Sequence, residues 1–181
     1  MAFLAAYALT FVVRSGERLL FFLILATLYF PVEVRMVPTF DVAAQLGLID
    51  TMAGLVLPVL PLAMATFILR QHMRQLPSEL LEAARLDGAG VFRFLMDIVL
   101  PLSWVPLGAV IVISFVFGWN QYLWPLMISV DNSLFPLMRG LNLAGTGSGP
   151  GMVLAAVSVL PPLVLVLGFL RLMSRVTALQ M

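Results

Sequence analysis

Five stretches without charged residues constrain the fold of this 181-residue chain more than any other feature. They cover residues 1–13, 19–32, 51–69, 98–130 and 140–170. Hydrophobic residues make up 62% of the chain and charged residues 10%, whereas soluble domains are about half apolar and about a quarter charged. A chain this short cannot bury so much apolar surface in one water-soluble core. The sequence therefore predicts an all-α, multi-spanning membrane protein.

Length decides which stretches cross the bilayer, since a spanning helix needs about 20 apolar residues. The predicted spans lie at 51–69, 103–124 and 152–170. Residues 140–151 form a predicted polar, glycine-rich loop. The stretch 19–32 is short, and we expect its helix to continue past Pro31 towards Pro38. The stretch 1–13 is about 20 Å long as a helix, and we expect it to be the end of a longer helix.

Arginine placement predicts the orientation of these spans. Eight of the ten basic residues fall in the segments 14–18, 70–97 and 171–181, and only Arg35 and Arg139 fall in the intervening loops. Because cytoplasmic loops carry an excess of basic residues, the three segments are predicted to be cytoplasmic. The C-terminus is then cytoplasmic as well.

The residues that are absent narrow the possible functions. The chain has no Cys, a single histidine (His72) and no Lys, so thiolate and paired-histidine metal sites and a lysine-containing phosphate loop are excluded. The span cores lack Asp, Glu, His and Cys, which disfavours an intramembrane enzyme or an ion-coupled secondary transporter. We expect no catalytic residue, metal or cofactor. The net charge of +1 disfavours a nucleic-acid partner.

One predicted cytoplasmic segment carries the most specific pattern. Pro77 suits a first helical position, good helix formers follow it, and Gly88 suits a helix end. A second short helix is expected over 91–100. The first helix is too short to be stable alone, and its stripe of Leu80, Ala84 and Gly88 predicts a face that docks on another surface.

The spacing in this segment resembles a known signature. Glu82-Ala83-Ala84, three residues, Gly88, nine residues and then Ile98-Val99-Leu100-Pro101 match the EAA loop of bacterial ABC importer permeases at every anchor. Further similar segments are Phe30–Arg35, Thr66–Gln71 and Gly118–Leu126. The chain resembles the carbohydrate-uptake branch of that family, and within it the permeases of sn-glycerol-3-phosphate importers, over nearly its whole length.

The resemblance implies a helical bundle of the ABC importer permease type, occupying residues 1–181, with the coupling loop at 77–101. It implies a companion permease subunit, two ATP-binding subunits and a periplasmic solute-binding protein as partners in the inner membrane. The residues that the resemblance implies to be in contact with the ATPase are Glu82, Ala83, Ala84, Asp87, Gly88 and Pro101. Since family members usually have six spans, the chain is expected to lack the N-terminal spans, and a non-transporting fragment is the alternative.

A polar and aromatic segment follows the span predicted at 103–124. Asn120, Gln121 and Tyr122 are candidates to line a solute pathway, together with Arg35. Alternatively, Trp119, Tyr122 and Trp124 form an aromatic belt at the membrane interface. If the solute is a phosphate ester, Arg35 and Arg139 are candidate ligands, although interfacial snorkelling or an inter-subunit charge is the favoured interpretation of both.

Overall fold

A computed structural model of the chain describes residues 1–60, 62–130, 136–145 and 147–178, and these are helical with no strand. In chain order the α-helices are α1 Ala2–Tyr7, α2 Glu17–Ala26, α3 Val32–Gln45, α4 Met52–Val56, α5 Ala63–Met73, α6 Ser78–Leu86, α7 Val91–Phe94, α8 Leu100–Leu102, α9 Trp104–Trp119, α10 Leu123–Ile128, α11 Leu137–Ala144, α12 Gly149–Ser158 and α13 Leu160–Ala178. The segments Ala8–Val12 and Leu95–Val99 are π-helical, and Leu57–Val59 is a 3-10 turn.

The chain forms two compact units, each made of two segments of sequence. The first unit comprises Met1–Phe30 and Pro61–Ile111, and the second comprises Pro31–Leu60 and Val112–Met181. Each unit has its own cluster of buried apolar side chains.

The core of the first unit brings α1 and α5 together with the predicted cytoplasmic segment. Its buried residues include Ala6, Tyr7, Leu69, Met73, Ala84, Phe94, Leu95 and Val99. The Phe11 ring meets Phe94 edge-on, with 5.2 Å between ring centres. The Tyr7 hydroxyl donates a 2.6 Å hydrogen bond to the carbonyl of Val91. The segment after α5 is therefore packed against the rest of this unit.

The core of the second unit is smaller and centres on a buried tryptophan. Trp124 packs with Met36, Ala43 and Ile128, and its indole N–H donates a 3.1 Å hydrogen bond to the carbonyl of Gly54. A buried indole needs such a partner. The bond joins α10 to α4, which lies 70 residues earlier in the chain.

One predicted span is a long helix in the structure. α12 and the greater part of α13 run on as one helix over Gly149–Ser174, which has 26 residues and is about 39 Å long at the rise of an α-helix. It confirms the span predicted at 152–170. Within the described residues it is the single helix long and apolar enough to cross a membrane by itself. The number rises to three when each of two bent helix pairs is counted as one span. The pairs are Met52–Val59 with Ala63–Met73 and Val91–Leu102 with Trp104–Trp119.

Two predicted helices are shorter than expected. The prediction of one continuous helix from residue 19 towards Pro38 is wrong, because α2 ends at Ala26 and α3 begins at Val32. Pro31 disfavours a helical conformation in the residue before it. The helix expected over 103–124 is also wrong at its end, since α9 stops at Trp119. The expected span at 51–69 is interrupted between Val59 and Ala63, and Pro61 lies outside the described residues.

The predicted glycine-rich loop at 140–151 is wrong for much of its length. Residues up to Ala144 belong to α11, whose Leu141 is buried. α12 begins at Gly149, where the Ser148 hydroxyl accepts a 3.1 Å hydrogen bond from the Gly151 amide. Serine is a preferred residue at this capping position. The connection between α11 and α12 is therefore shorter than the loop predicted over residues 140–151.

The Gly54→Ala variant should be destabilised by about 1–3 kcal/mol, the usual cost of overpacking. A methyl group at Gly54 would overlap the Leu48 carbonyl and lie 3.3 Å from the Ile128 side chain. The measurement is thermal unfolding in detergent. The matched control is Gly118→Ala, since space around Gly118 is open. Equal unfolding temperatures for the two variants would contradict this packing.

Candidate functional site

The helix that carries the EAA pattern is α6. Pro77 is its N-cap, and Ser78 is the first helical residue, so the predicted start is displaced by one position. The helix has nine residues, which is too few for stability in isolation. It must therefore be held by the rest of its unit.

The end of α6 confirms the predicted role of Gly88. Gly88 has φ +72°, a conformation that costs a residue with a side chain about 1–2 kcal/mol. The Ala89 amide donates a 2.8 Å hydrogen bond to the Ala84 carbonyl, and the Gly88 amide donates a 3.1 Å hydrogen bond to the Arg85 carbonyl. This pair of bonds is the Schellman motif. It fixes the direction in which the chain leaves α6.

Ala84 and its neighbours supply the face on which α6 docks. Ala84 is 4% exposed and belongs to the core of the first unit, while Leu81 and Ala89 pack around it. Leu80 is half-buried. Of the predicted docking stripe, Ala84 thus packs in this chain's own core, whereas Gly88 is exposed. Of the two alanines that the resemblance places against an ATPase, Ala83 is exposed and Ala84 is not.

The opposite face of α6 is exposed and combines acidic with apolar side chains. Glu79, Glu82 and Asp87 are exposed. Sequence reasoning missed Leu86 and Phe92, which are 89% and 73% exposed. Large apolar side chains at such exposure are typical of an interaction surface when they cluster. We call Glu79, Glu82, Ala83, Leu86, Asp87 and Phe92 the loop surface.

The second helix of the segment extends beyond its predicted end. The helical run from Val91 continues through the π-helical residues to Leu102, so that Pro101 lies inside it. The Leu100 amide donates to the Leu95 carbonyl in the wide turn just before Pro101, whose nitrogen cannot donate. At Ser103 the helix axis bends by 77°. The helical run Val91–Leu102 therefore lies at a large angle to α9.

A cavity of about 820 Å³ opens within the second unit. Its polar lining comes from Glu33, Asn120, Gln121 and Tyr122, and the remainder is apolar, from α3, α9, α10 and α13. The structure thus brings together three of the four predicted pathway residues. Asn120 also donates a 2.9 Å hydrogen bond to the Val116 carbonyl of its own helix.

The fourth predicted pathway residue, Arg35, is not among the lining residues. Glu33 and Met36 face the cavity from the first turns of α3. Two residues along a helix point about 200° apart, so Arg35 leaves the side that Glu33 occupies. The second candidate phosphate ligand, Arg139, donates from its guanidinium to the carbonyls of Pro125 and Ser129. These bonds engage Arg139 within its own unit.

The aromatic-belt interpretation is wrong for Trp124, which is 4% exposed inside the core. Trp119 is half-buried, stacks on Phe115 with 5.4 Å between ring centres, and donates a 3.0 Å hydrogen bond to the Ser158 carbonyl. Tyr122 lines the cavity. Both indoles therefore find hydrogen-bond partners inside the second unit.

Residues 1–177 match the family described as "Binding-protein-dependent transport system inner membrane component". The chain belongs to this family, which is one of transport components of the inner membrane.

Curated relatives narrow the comparison. The "sn-glycerol-3-phosphate transport system permease protein UgpE" of Yersinia pestis bv. Antiqua (strain Antiqua) is 47% identical over 173 residues, covering 92% of this chain and 62% of the relative. The proteins of the same name from Rhizobium meliloti (strain 1021) and Salmonella choleraesuis (strain SC-B67) are 44% and 45% identical, covering 92% and 94% of this chain and 61% and 63% of the relatives. The chain thus spans about three fifths of their length.

In the Gly88→Val variant the C-terminal end of α6 should lose most of its local stability. Valine disfavours φ +72° by about 1–2 kcal/mol. Gly88→Asn should be tolerated, because asparagine adopts this conformation more readily. Hydrogen exchange of the α6 amides measures the effect. Gly90→Ala is the control, since Gly90 has φ −71° and open space around it. Equal exchange in Gly88→Val and Gly90→Ala would contradict the motif.

Proposed function

We propose that the chain is a permease subunit of a binding-protein-dependent ABC importer. Its cargo is sn-glycerol 3-phosphate or a related sugar or glycerophosphodiester. Support for the cargo comes from the printed names of relatives that are 44–47% identical. Support for the subunit class comes from the family match and from the loop surface.

The observation that carries the proposal is the exposed face of a helix whose opposite face is buried. Ala84 anchors α6 from behind, and the Schellman motif fixes its end. Glu82 and Ala83 are thereby presented outward, where a carboxylate can pair with a basic residue and a methyl group permits close approach. Leu86 and Phe92 add apolar area that a partner would bury. In this proposal the loop surface contacts an ATP-binding subunit.

The remaining partners follow from the same assignment. They are a companion permease, a second ATP-binding subunit and a periplasmic solute-binding protein. ATP hydrolysis belongs to the ATP-binding subunits, in agreement with the absence of any lysine in this sequence. The arginine distribution supports a cytoplasmic location for α6 and the C-terminus.

The cavity in the second unit is the candidate pathway. Its volume of about 820 Å³ falls within the usual range of small-molecule sites. Amide, phenol and carboxylate groups from Asn120, Gln121, Tyr122 and Glu33 offer hydrogen bonds to a hydroxylated solute.

The Glu82→Lys variant should abolish ATP-driven uptake while leaving membrane insertion intact, because it places a cation where a basic partner residue is expected. Uptake of labelled solute by the assembled transporter in vesicles is the measurement. Asp41→Lys is the control, since it makes the same charge change at an exposed residue of α3 and should retain uptake. Normal uptake by Glu82→Lys would remove the assignment.

The Gln121→Cys variant should become sensitive to a membrane-impermeant thiol reagent added from the periplasmic side. The cavity is open to Gln121, and the natural chain has no Cys. We expect labelling to abolish most of the uptake, because the attached group would fill the cavity through which the solute passes. Ser129→Cys is the control, since Ser129 is buried and should remain unlabelled. Full uptake after complete labelling of Gln121→Cys would exclude this cavity as the pathway.

A further inference from the structure

Arg70, in the last turn of α5, is a buried cation that the coupling proposal does not use. It is 3% exposed. Its guanidinium lies 3.6 Å from the Glu17 carboxylate, measured Nη2 to Oε1, and 4.0 Å from the centre of the Phe21 ring. Its Nε atom is buried without a hydrogen-bond partner. Burying a charge is costly even when it is paired, so this position calls for an explanation other than packing.

Both partners of Arg70 lie on α2, one turn apart. Glu17 and Phe21 are spaced i, i+4 and so share one face of the helix. Phe21 also stacks on Phe67 of α5, with 6.1 Å between ring centres and 11° between ring planes. α2 contains no buried residue. The ion-pair and ring contacts described for α2 therefore all run to Phe67 and Arg70, and we call these four residues the Arg70 cluster.

The start of α2 allows it to change direction. Gly16, its N-cap, has φ +76°, and no atom lies within 4 Å of where its side chain would begin. Glycine adopts this conformation without steric cost. α2 thus joins the first unit through a glycine turn at one end of the Arg70 cluster.

α5 and α6, by contrast, are joined closely. The connection between α5 and α6 is held by backbone hydrogen bonds. The amides of Arg74, Gln75 and Leu76 donate to carbonyls in the last turn of α5. Leu69 and Met73 are buried in the same core as Ala84. Because packed cores move as units, a displacement of α6 moves α5 with it.

We propose that Arg70 is a positioning residue that makes α2 follow the movement of α5 and α6 during transport. It does so through the ion pair with Glu17 and the contact with the Phe21 ring. This proposal rests on the assignment of α6 as the coupling helix. Without the Arg70 cluster, α2 would turn at Gly16 independently of α6, and ATP hydrolysis would be less tightly linked to solute movement.

The Arg70→Met variant separates this role from simple stabilisation. Methionine fills a similar volume and still packs on Phe21, and the Glu17 carboxylate that loses its partner keeps access to solvent, since its side chain is 30% exposed. Should the single variant fail to assemble, the double variant Glu17→Gln/Arg70→Met leaves no uncompensated charge. Arg74→Met is the control, since Arg74 is an exposed arginine four residues further along the chain.

The experiment uses the assembled transporter, with spin labels at Leu23→Cys in α2 and Met64→Cys in α5, both exposed positions in a chain that is free of Cys. With Arg70 present, the distribution of distances between the two labels should be narrow. Its mean should be the same in the nucleotide-free and ATP-trapped states. In Arg70→Met this mean distance should differ between the states, and the number of ATP molecules hydrolysed per solute transported should rise above that of the parent. Arg74→Met should match the parent on both measurements.

An unchanged distance and an unchanged ratio in Arg70→Met would overturn the proposal. The result is distinguishable from failure of the proposed function, which Glu82→Lys tests separately. If Glu82→Lys abolishes uptake and Arg70→Met behaves as the parent, only the role of Arg70 is wrong. If Glu82→Lys transports normally, the coupling assignment itself fails.

Discussion

Burial of Ala84 is the contact on which the arrangement of the loop depends. A nine-residue helix gains too few internal hydrogen bonds to persist in water, so α6 keeps its shape because Ala84 on one of its faces is buried in the core of the first unit. The hydrogen bond from Tyr7 to Val91 holds the next helix to the same core. With these contacts fixed, the orientation of Glu82 and the exposure of Leu86 follow from helical geometry.

A second constraint acts on the second unit, where helices end within apolar surroundings. Backbone groups that lose their helical partners there must find others. The indoles of Trp119 and Trp124 donate to the carbonyls of Ser158 and Gly54, and Arg139 donates to carbonyls of Pro125 and Ser129. These long side chains let the chain break its helices at positions where solvent could not satisfy the backbone.

Local signals in the sequence predicted local structure well. Gly88 terminates α6 because its conformation is decided by its own lack of a side chain. Apolar length predicted a continuous helix correctly at 152–170 but wrongly at 51–69, where the helix is interrupted between Val59 and Ala63. Hydropathy could not distinguish Trp124 in a protein core from Trp124 at a lipid interface, since both remove the ring from water. Nor could spacing tell that Glu33 faces the cavity and Arg35 does not, because the rotation of α3 is set by Met36 and Ala43 packing on Trp124.

The helix Gly149–Ser174 has one further consequence. Its apolar part, residues 152–170, carries no charged residue and is about 28 Å long at the rise of an α-helix, close to the hydrocarbon thickness of a typical bilayer, about 30 Å. Arg171 follows directly after this apolar part and can extend its guanidinium to the headgroups. The helix therefore fits such a bilayer without a large tilt, whereas a bilayer with shorter acyl chains would force it to incline.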